Sequence, residues 1–260
     1  MCSRWKCQAF ASGLNHCTWF QSIRRRSTGE NLYPLLRERE RAAHPLGEWD
    51  EIALSRILLR TFGLYPSPGT NHIGEYIGWA PEFLGSSAMQ FYYDPADGHP
   101  WETGRIPPWI YNLHTHAVDR PLFGDDVPEK SDDLSPSGEL AIPIIEGLRC
   151  NTSQMLDAVN IPNAGNVPGL PPGTVVEVPA TVDEHGLHAR TMPPLPESVL
   201  AILRTQVSIN QVLVEAFVEN SRSKLLQAVL LDPTAHSYRQ AASLVNALCT
   251  LQADALPPLR

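Results

Sequence analysis

Residues 159–179 read VNIPNAGNVPGLPPGTVVEVP. Two short runs of β-branched and apolar residues, Ala158–Ile161 and Thr174–Val178, flank a centre built from Asn, Gly and Pro. Val and Ile favour a pleated, half-buried surface, whereas Asn, Gly and Pro supply the dihedral angles of turns. The stretch therefore predicts strand, ordered loop and strand. A second turn signal, Asp183-Glu184-His185-Gly186, follows it, so 155–190 reads as strands throughout. Proline has no N–H to give a sheet ladder, and the prolines here predict short edge strands or hairpins.

Downstream the period changes. From Pro196 onward, Val199, Ile202, Leu203, Val207, Leu213, Ala216 and Phe217 recur at helical spacing and form one broad apolar stripe. A helix over Leu225–Leu231 is ended by Asp232-Pro233, and another is expected from about Thr234 to Ala253. Upstream, Ile52, Ala53, Ile57, Leu58 and Phe62 predict a helix over 50–62, with Gly63 where a C-cap glycine belongs. Leu140, Ile144, Ile145 and Leu148 predict another over 138–149. Trp5 to Phe20 reads as a strand broken at Gly13 and resumed as a strand or helix start. Residues 94–138 are rich in Pro, Gly and Asp and predict a long irregular excursion. The expected architecture is α+β: a small mixed or antiparallel sheet beside a helical layer, within one domain over 1–260.

Bulk properties narrow the partners. The 260 residues are 43% hydrophobic and 18% charged, enough apolar content for a real core. A net charge of −8 argues against binding a phosphate backbone, which needs clustered Lys and Arg. No nucleic acid is expected, and the substrate is expected to be small. Arg24-Arg25-Arg26 and Arg37-Glu38-Arg39-Glu40-Arg41 read as solvated helix faces. Five scattered cysteines, none in a CxxC pair, fit a reducing cytoplasm. No stretch approaches the run of about 20 apolar residues that spans a bilayer, so no membrane association is expected.

Three segments hold side chains capable of chemistry. In Gly13-Leu14-Asn15-His16, a turn presents an imidazole that can ligate a metal, with Asn15 as a hydrogen-bonding neighbour. In His72-Ile73-Gly74-Glu75-Tyr76, a tyrosine follows a loop fixed by Pro66, Pro68 and Gly69. Tyrosine serves as a general base only when a metal or cation lowers its pKa from about 10. In 159–179 the asparagines read as turn residues. His114-Thr115-His116 offers a second metal pair on a strand, which would make the chain an unrelated metal hydrolase.

Taken in order, GLNHCTWF at 13–20, HIGEY at 72–76 and VNIPNAGNVPGLPPGTVVEVP at 159–179, continuing to Leu230-Leu231-Asp232-Pro233, resemble the C-terminal domain of family 4 glycoside hydrolases. These enzymes are an exception to the paired-carboxylate rule. The resemblance, which covers nearly the whole chain, implies a glycosidase dependent on NAD and Mn²⁺ that hydrolyses small O-glycosides by C3 oxidation and elimination. It implies Tyr76 as the catalytic base, His16 as the metal ligand, and Asn15 on the substrate side. His72 is expected to line the sugar pocket. The HxxEY form looks more like the branch acting on galactosides or uronides than the branch acting on 6-phosphoglycosides. A homo-oligomer is implied too, since helices at this end of the family form subunit contacts.

The sequence also departs from the family. No G-x-G-x-x-G follows a strand near the N-terminus, so the Rossmann domain and the determinants for NAD are expected to be missing. The family's second metal ligand, a cysteine well upstream of the histidine, has no counterpart. Cys7 lies too near His16 to be assumed its substitute, and Cys17 is expected to point away from it. The chain is accordingly expected to be a truncated glycosidase, inactive alone, with a non-catalytic sugar-binding or oligomerisation module as the alternative.

Overall fold

The computed structural model describes residues 6–42, 53–80 and 139–260. The expected excursion at 94–138, the first residues of the helix predicted over 50–62, and His114 and His116 lie outside the described residues. Those described form an antiparallel five-stranded sheet with helices against it, the α+β arrangement expected.

The chain opens with a hairpin of β1 (Cys7–Leu14) and β2 (Cys17–Arg25). Leu14 pairs with Cys17, so the turn between the strands is only Asn15-His16. Gly13 makes this tight return possible: a Cβ there would stand 2.2 Å from the carbonyl oxygen of Cys17. Three helices follow, α1 (Tyr33–Ala42), α2 (Ala53–Phe62) and the short α3 (Thr70–Gly74). Gly63 ends α2 with a left-handed φ of 78° and its N–H on Leu59 O, the C-cap expected. Between α1 and α2, the Glu40 carboxylate takes Nε of Arg56 at 3.0 Å and Nε of Arg60 at 2.7 Å. The Glu40 and Arg56 side chains are only 10% and 7% exposed.

Helix α4 (Ala141–Cys150) leads into β3 (Gln154–Pro162), β4 (Val175–Asp183) and β5 (Gly186–Ala189). The strand order is β2-β1-β4-β3, with β5 also paired to β4. Of the expected short edge strands or hairpins, the hairpin is present, β4 turning into the short β5 through Asp183 and Gly186, but β4 itself is the centre of the sheet even though it contains Pro179. Leu156 pairs with Ala180 and Val159 with Val178, so a bulge on β3 sets Asp157 and Ala158 together against Pro179. The missing N–H falls on the other side: Pro179 O accepts from Arg190 N, and the N–H and C=O of one strand residue face the same way, so the absent donor points just past the last β4–β5 pair, Ala180 with Ala189. Helix α4 approaches β4 through buried Gly147, whose absent Cβ would sit 2.5 Å from Cγ1 of Val182.

Three C-terminal helices complete the fold: α5 (Glu197–Val218), α6 (Arg222–Leu231) and α7 (Tyr238–Leu251). Ser221 and Ser237 cap α6 and α7, their side-chain oxygens accepting from Lys224 N and Gln240 N. The first half of α5 puts Val199, Leu200 and Leu203 into the main core with Trp19, Leu54, Leu58, Val176 and Val178. Each such side chain, removed from water, contributes about 1.5–3 kcal/mol. The second half of α5 packs Ala216 against Leu225 and Val245 in a separate cluster. No described helix is long and apolar enough to cross a membrane.

Candidate functional site

The site is built on the hairpin turn. His16 has φ 59°, a left-handed conformation that costs a non-glycine residue roughly 1–2 kcal/mol. Strain of this kind persists only where the surroundings enforce it. Here the strands on either side bury Leu14 and Cys17 and leave Asn15 and His16 exposed.

Several elements converge on these two residues. The Tyr76 hydroxyl, two residues past α3, donates to the carbonyl oxygen of Asn15 at 3.1 Å. Nδ2 of Asn160, on β3, donates to Oδ1 of Asn15 at 3.1 Å. The ring of His72, on α3, lies against that of His16 with centroids 4.4 Å apart and planes tilted by 39°. His72 Nδ1 also stands 3.5 Å from Oε1 of Glu75. Asn15, His16, His72 and Tyr76, four residues from two separate segments of the sequence, thus occupy one place.

Glu177 completes the arrangement. On β4 it pairs with Gly13 of β1 on one side and Asn160 of β3 on the other, so three strands meet in one row beneath the turn. Side chains directly opposite across an antiparallel pair share a face of the sheet. Burial pushes the Glu177 carboxyl up from its ordinary range, opposed by the charge of His16 and by a hydrogen bond with the His16 backbone. The Tyr76 phenol is pushed up as well, by burial first and then by the ionisable side chains of Cys17, Glu75, Asp232 and Glu177 nearby. In these surroundings the phenol keeps its proton at neutral pH.

Neither Asn160 nor Glu177 was singled out from sequence. Asn160 sits among turn residues and reads as one of them. Glu177 carried a usable signal, a lone carboxylate between Val176 and Val178 in an otherwise apolar strand. Asn163, by contrast, is structural: it is buried, its Nδ2 donates to Val167 O and Leu170 O, and its Oδ1 accepts from Gly165 N and Val167 N.

A divalent metal needs several donors in one place. His16 offers one exposed imidazole, but among the described residues no three His, Cys, Asp or Glu side chains are grouped closely enough to hold an ion. Cys17 is fully buried and its thiol is pushed up to about 12, chiefly by burial, so it supplies no thiolate. Cys7 begins β1 at the far end of the hairpin, roughly 20 Å away at about 3.3 Å per residue. The described residues therefore do not by themselves fit a Mn²⁺ centre. They contain no parallel strand pair of the kind that carries a dinucleotide fold either.

Comparison with known proteins follows the same outline. The family model described as family 4 glycosyl hydrolase C-terminal domain matches residues 11–235. An α-galactosidase of Rhizobium meliloti is 28% identical over 243 residues, covering 92% of this chain and 46% of that protein. An α-glucosidase of Erwinia rhapontici is 26% identical over 204 residues, 78% of this chain and 39% of that one. The chain thus spans half or less of the length of these two curated relatives. Among solved structures, a 6-phospho-α-glucosidase from gut microorganisms, in complex with NAD and Mn²⁺, superposes with a TM-score of 0.66 at 20% identity. It covers 98% of this chain and 57% of that one. A 6-phospho-β-glucosidase from Thermotoga maritima, with NAD and glucose-6-phosphate, gives 0.65 at 16%, over 96% and 55%. These two likenesses carry the fold.

Proposed function

We propose, from the premise that this chain belongs to glycosyl hydrolase family 4, that residues 1–260 form the substrate-side domain of a hydrolase of small O-glycosides, α-galactosides or uronides. The observation that carries this reading is the 3.1 Å hydrogen bond from Tyr76 to Asn15, which brings the HIGEY and GLNH segments to one point. In this reading Tyr76 is the proton-handling group, His16 faces the metal, and Asn15 and His72 face the sugar.

The NAD- and Mn²⁺-dependent C3 oxidation and elimination expected for the whole protein needs a nucleotide site and a closed metal site, and the described residues supply one imidazole toward the second. What the chain's own groups do is narrower. Asn15, held through its carbonyl by Tyr76 and through its carboxamide by Asn160, retains its Nδ2 protons as donors for a sugar hydroxyl. His16 presents a ring nitrogen beside it. Tyr76 holds a proton at its hydroxyl and releases it readily only when positive charge comes close.

The raised Tyr76 phenol favours one second reading, a sugar-binding module without turnover. Titration calorimetry with methyl α-D-galactopyranoside, methyl α-D-galacturonide and the galactoside 6-phosphate tests both readings. Binding of the first or second that is weakened by His16→Ala is expected. Preference for the phosphate ester would shift the substrate class, and binding of none would remove the sugar reading. A turnover assay with NAD and Mn²⁺ added then separates hydrolase from module.

A further inference from the structure

A cavity of about 300 Å³ opens beside Tyr76. It is bounded by Phe62 at the end of α2, by Tyr76 and Trp79 after α3, and by Ile202, Thr205 and Gln206 on α5. A larger cavity of about 560 Å³ lies farther along α5, around Asn210 and His236, and does not touch Tyr76. The smaller one shares a wall with the candidate site, because the same tyrosine that donates to Asn15 lines it.

Its lining is mixed in a way that suits a ring with one polar edge. Phe62 and Ile202 give an apolar floor, and Trp79, 38% exposed, gives a large aromatic surface. Gln206 donates from Nε2 to Asn210 Oδ1 at 3.2 Å, which leaves its Oε1 to accept a hydrogen bond from an occupant. The aromatic wall is held in place by backbone contact. At Gly78 a Cβ would come 2.6 Å from the carbonyl oxygen of Pro233, so the chain carrying Trp79 lies directly on the loop after α6. A volume near 300 Å³ is the lower end of small-ligand pockets, which run from about 300 to 1,000 Å³.

We propose that this cavity is the aglycone subsite: it takes the leaving group of the glycoside, a single aromatic or sugar ring laid on Trp79, while the glycone sits at Asn15 and His16. The inference rests on the sugar-binding reading above and adds which part of the substrate meets α5. A flat ring against an aromatic side chain contributes about 0.5–1.5 kcal/mol beyond area burial, which is about a two- to twelvefold difference in affinity.

The test compares p-nitrophenyl α-D-galactopyranoside with methyl α-D-galactopyranoside by titration calorimetry on the 260-residue chain. The aryl glycoside is expected to bind about two- to twelvefold more tightly. Trp79→Ala should erase that preference and leave the methyl glycoside unchanged. Thr205→Trp, at an exposed position on the rim, should do the same by filling the cavity, so the test does not depend on the first variant folding. Equal binding of the two glycosides, or a preference that survives both substitutions, overturns the aglycone subsite and leaves the sugar-binding reading standing. Absence of binding by either glycoside overturns both.

Discussion

Asn160 on β3 donates its carboxamide hydrogen to the carboxamide oxygen of Asn15 over 3.1 Å, tying the hairpin turn to a strand 145 residues farther along the chain. The bond fixes which end of the Asn15 amide faces outward: with Oδ1 engaged, Nδ2 is the group offered to a ligand. Asn160→Ala should therefore weaken galactoside binding about fivefold, the equivalent of one neutral hydrogen bond of about 1 kcal/mol. Because both side chains are exposed, the melting temperature should move little. Unchanged affinity in calorimetry would show that Asn15 needs no such support.

Gly13→Ala should be among the most damaging single-methyl changes in the molecule. The added carbon would meet Cys17 O at 2.2 Å and Thr18 Cα at 2.9 Å, both backbone, so the hairpin must open or shift register. A loss of about 3 kcal/mol is expected, read from the urea midpoint at constant slope. A loss below about 1 kcal/mol would mean that the turn adapts.

Tyr76 gives a pH signature. Its phenol in the folded chain is raised above the ordinary value of 10.0, chiefly by burial. The folded state then keeps a proton that the unfolded state has released, so this contribution is complete below pH 10 and disappears as pH rises from there through the folded value. Tyr76→Phe should match the parent in stability at pH 7 apart from its lost hydrogen bond, and gain on it above pH 10. In an absorbance titration at alkaline pH, the same substitution should remove a late phenolate step. An early step lost instead would contradict the assignment.

Glu177 runs in the same direction at the acid end. Burial raises its carboxyl from the ordinary 4.5, so its contribution is complete below pH 4.5 and is lost as pH rises through the folded value. Glu177→Gln, which keeps an acceptor for the His16 backbone, should melt higher than the parent at pH 7, with the gap shrinking toward pH 4. A gap that does not depend on pH would rule out desolvation of the carboxylate as its source.

Glu40→Ala removes the carboxylate that accepts from both Arg56, 7% exposed, and Arg60, and should cost about 1.5–3 kcal/mol, the range for a hydrogen bond to a charged group. Glu40→Gln should cost less, since the amide oxygen still accepts from a guanidinium. Chemical denaturation distinguishes the two.

Much of this was legible in the chain before any coordinates. The two helical stripes, the Gly63 cap and the strand-loop-strand pattern around 162–173 are local, and local chemistry determines them. Pro179 misled because its accommodation is not local: its missing N–H faces Arg190, just past the point where β5 ends at Ala189. Asn160 and Glu177 escaped for a related reason. Their meaning comes from register across three strands, and a pairing such as Gly13 with Glu177 leaves no trace in either segment alone. Asn15, His16, His72 and Tyr76 could be singled out because each lies in a motif whose order along the chain is informative.

The row Gly13–Glu177–Asn160 also bears on how the molecule comes together. Closing a loop on the order of 150 residues costs entropy before any contact repays it, and contacts of such sequence separation form late. The turn that carries Asn15 and His16 is synthesised well before β3 and β4, yet it gains its floor and its carboxamide partner only when they arrive. A nascent or clipped product ending before residue 159 would retain the hairpin and lack the pocket. The full chain could be cut between the two parts and reassembled from fragments, with ligand binding returning only on their recombination.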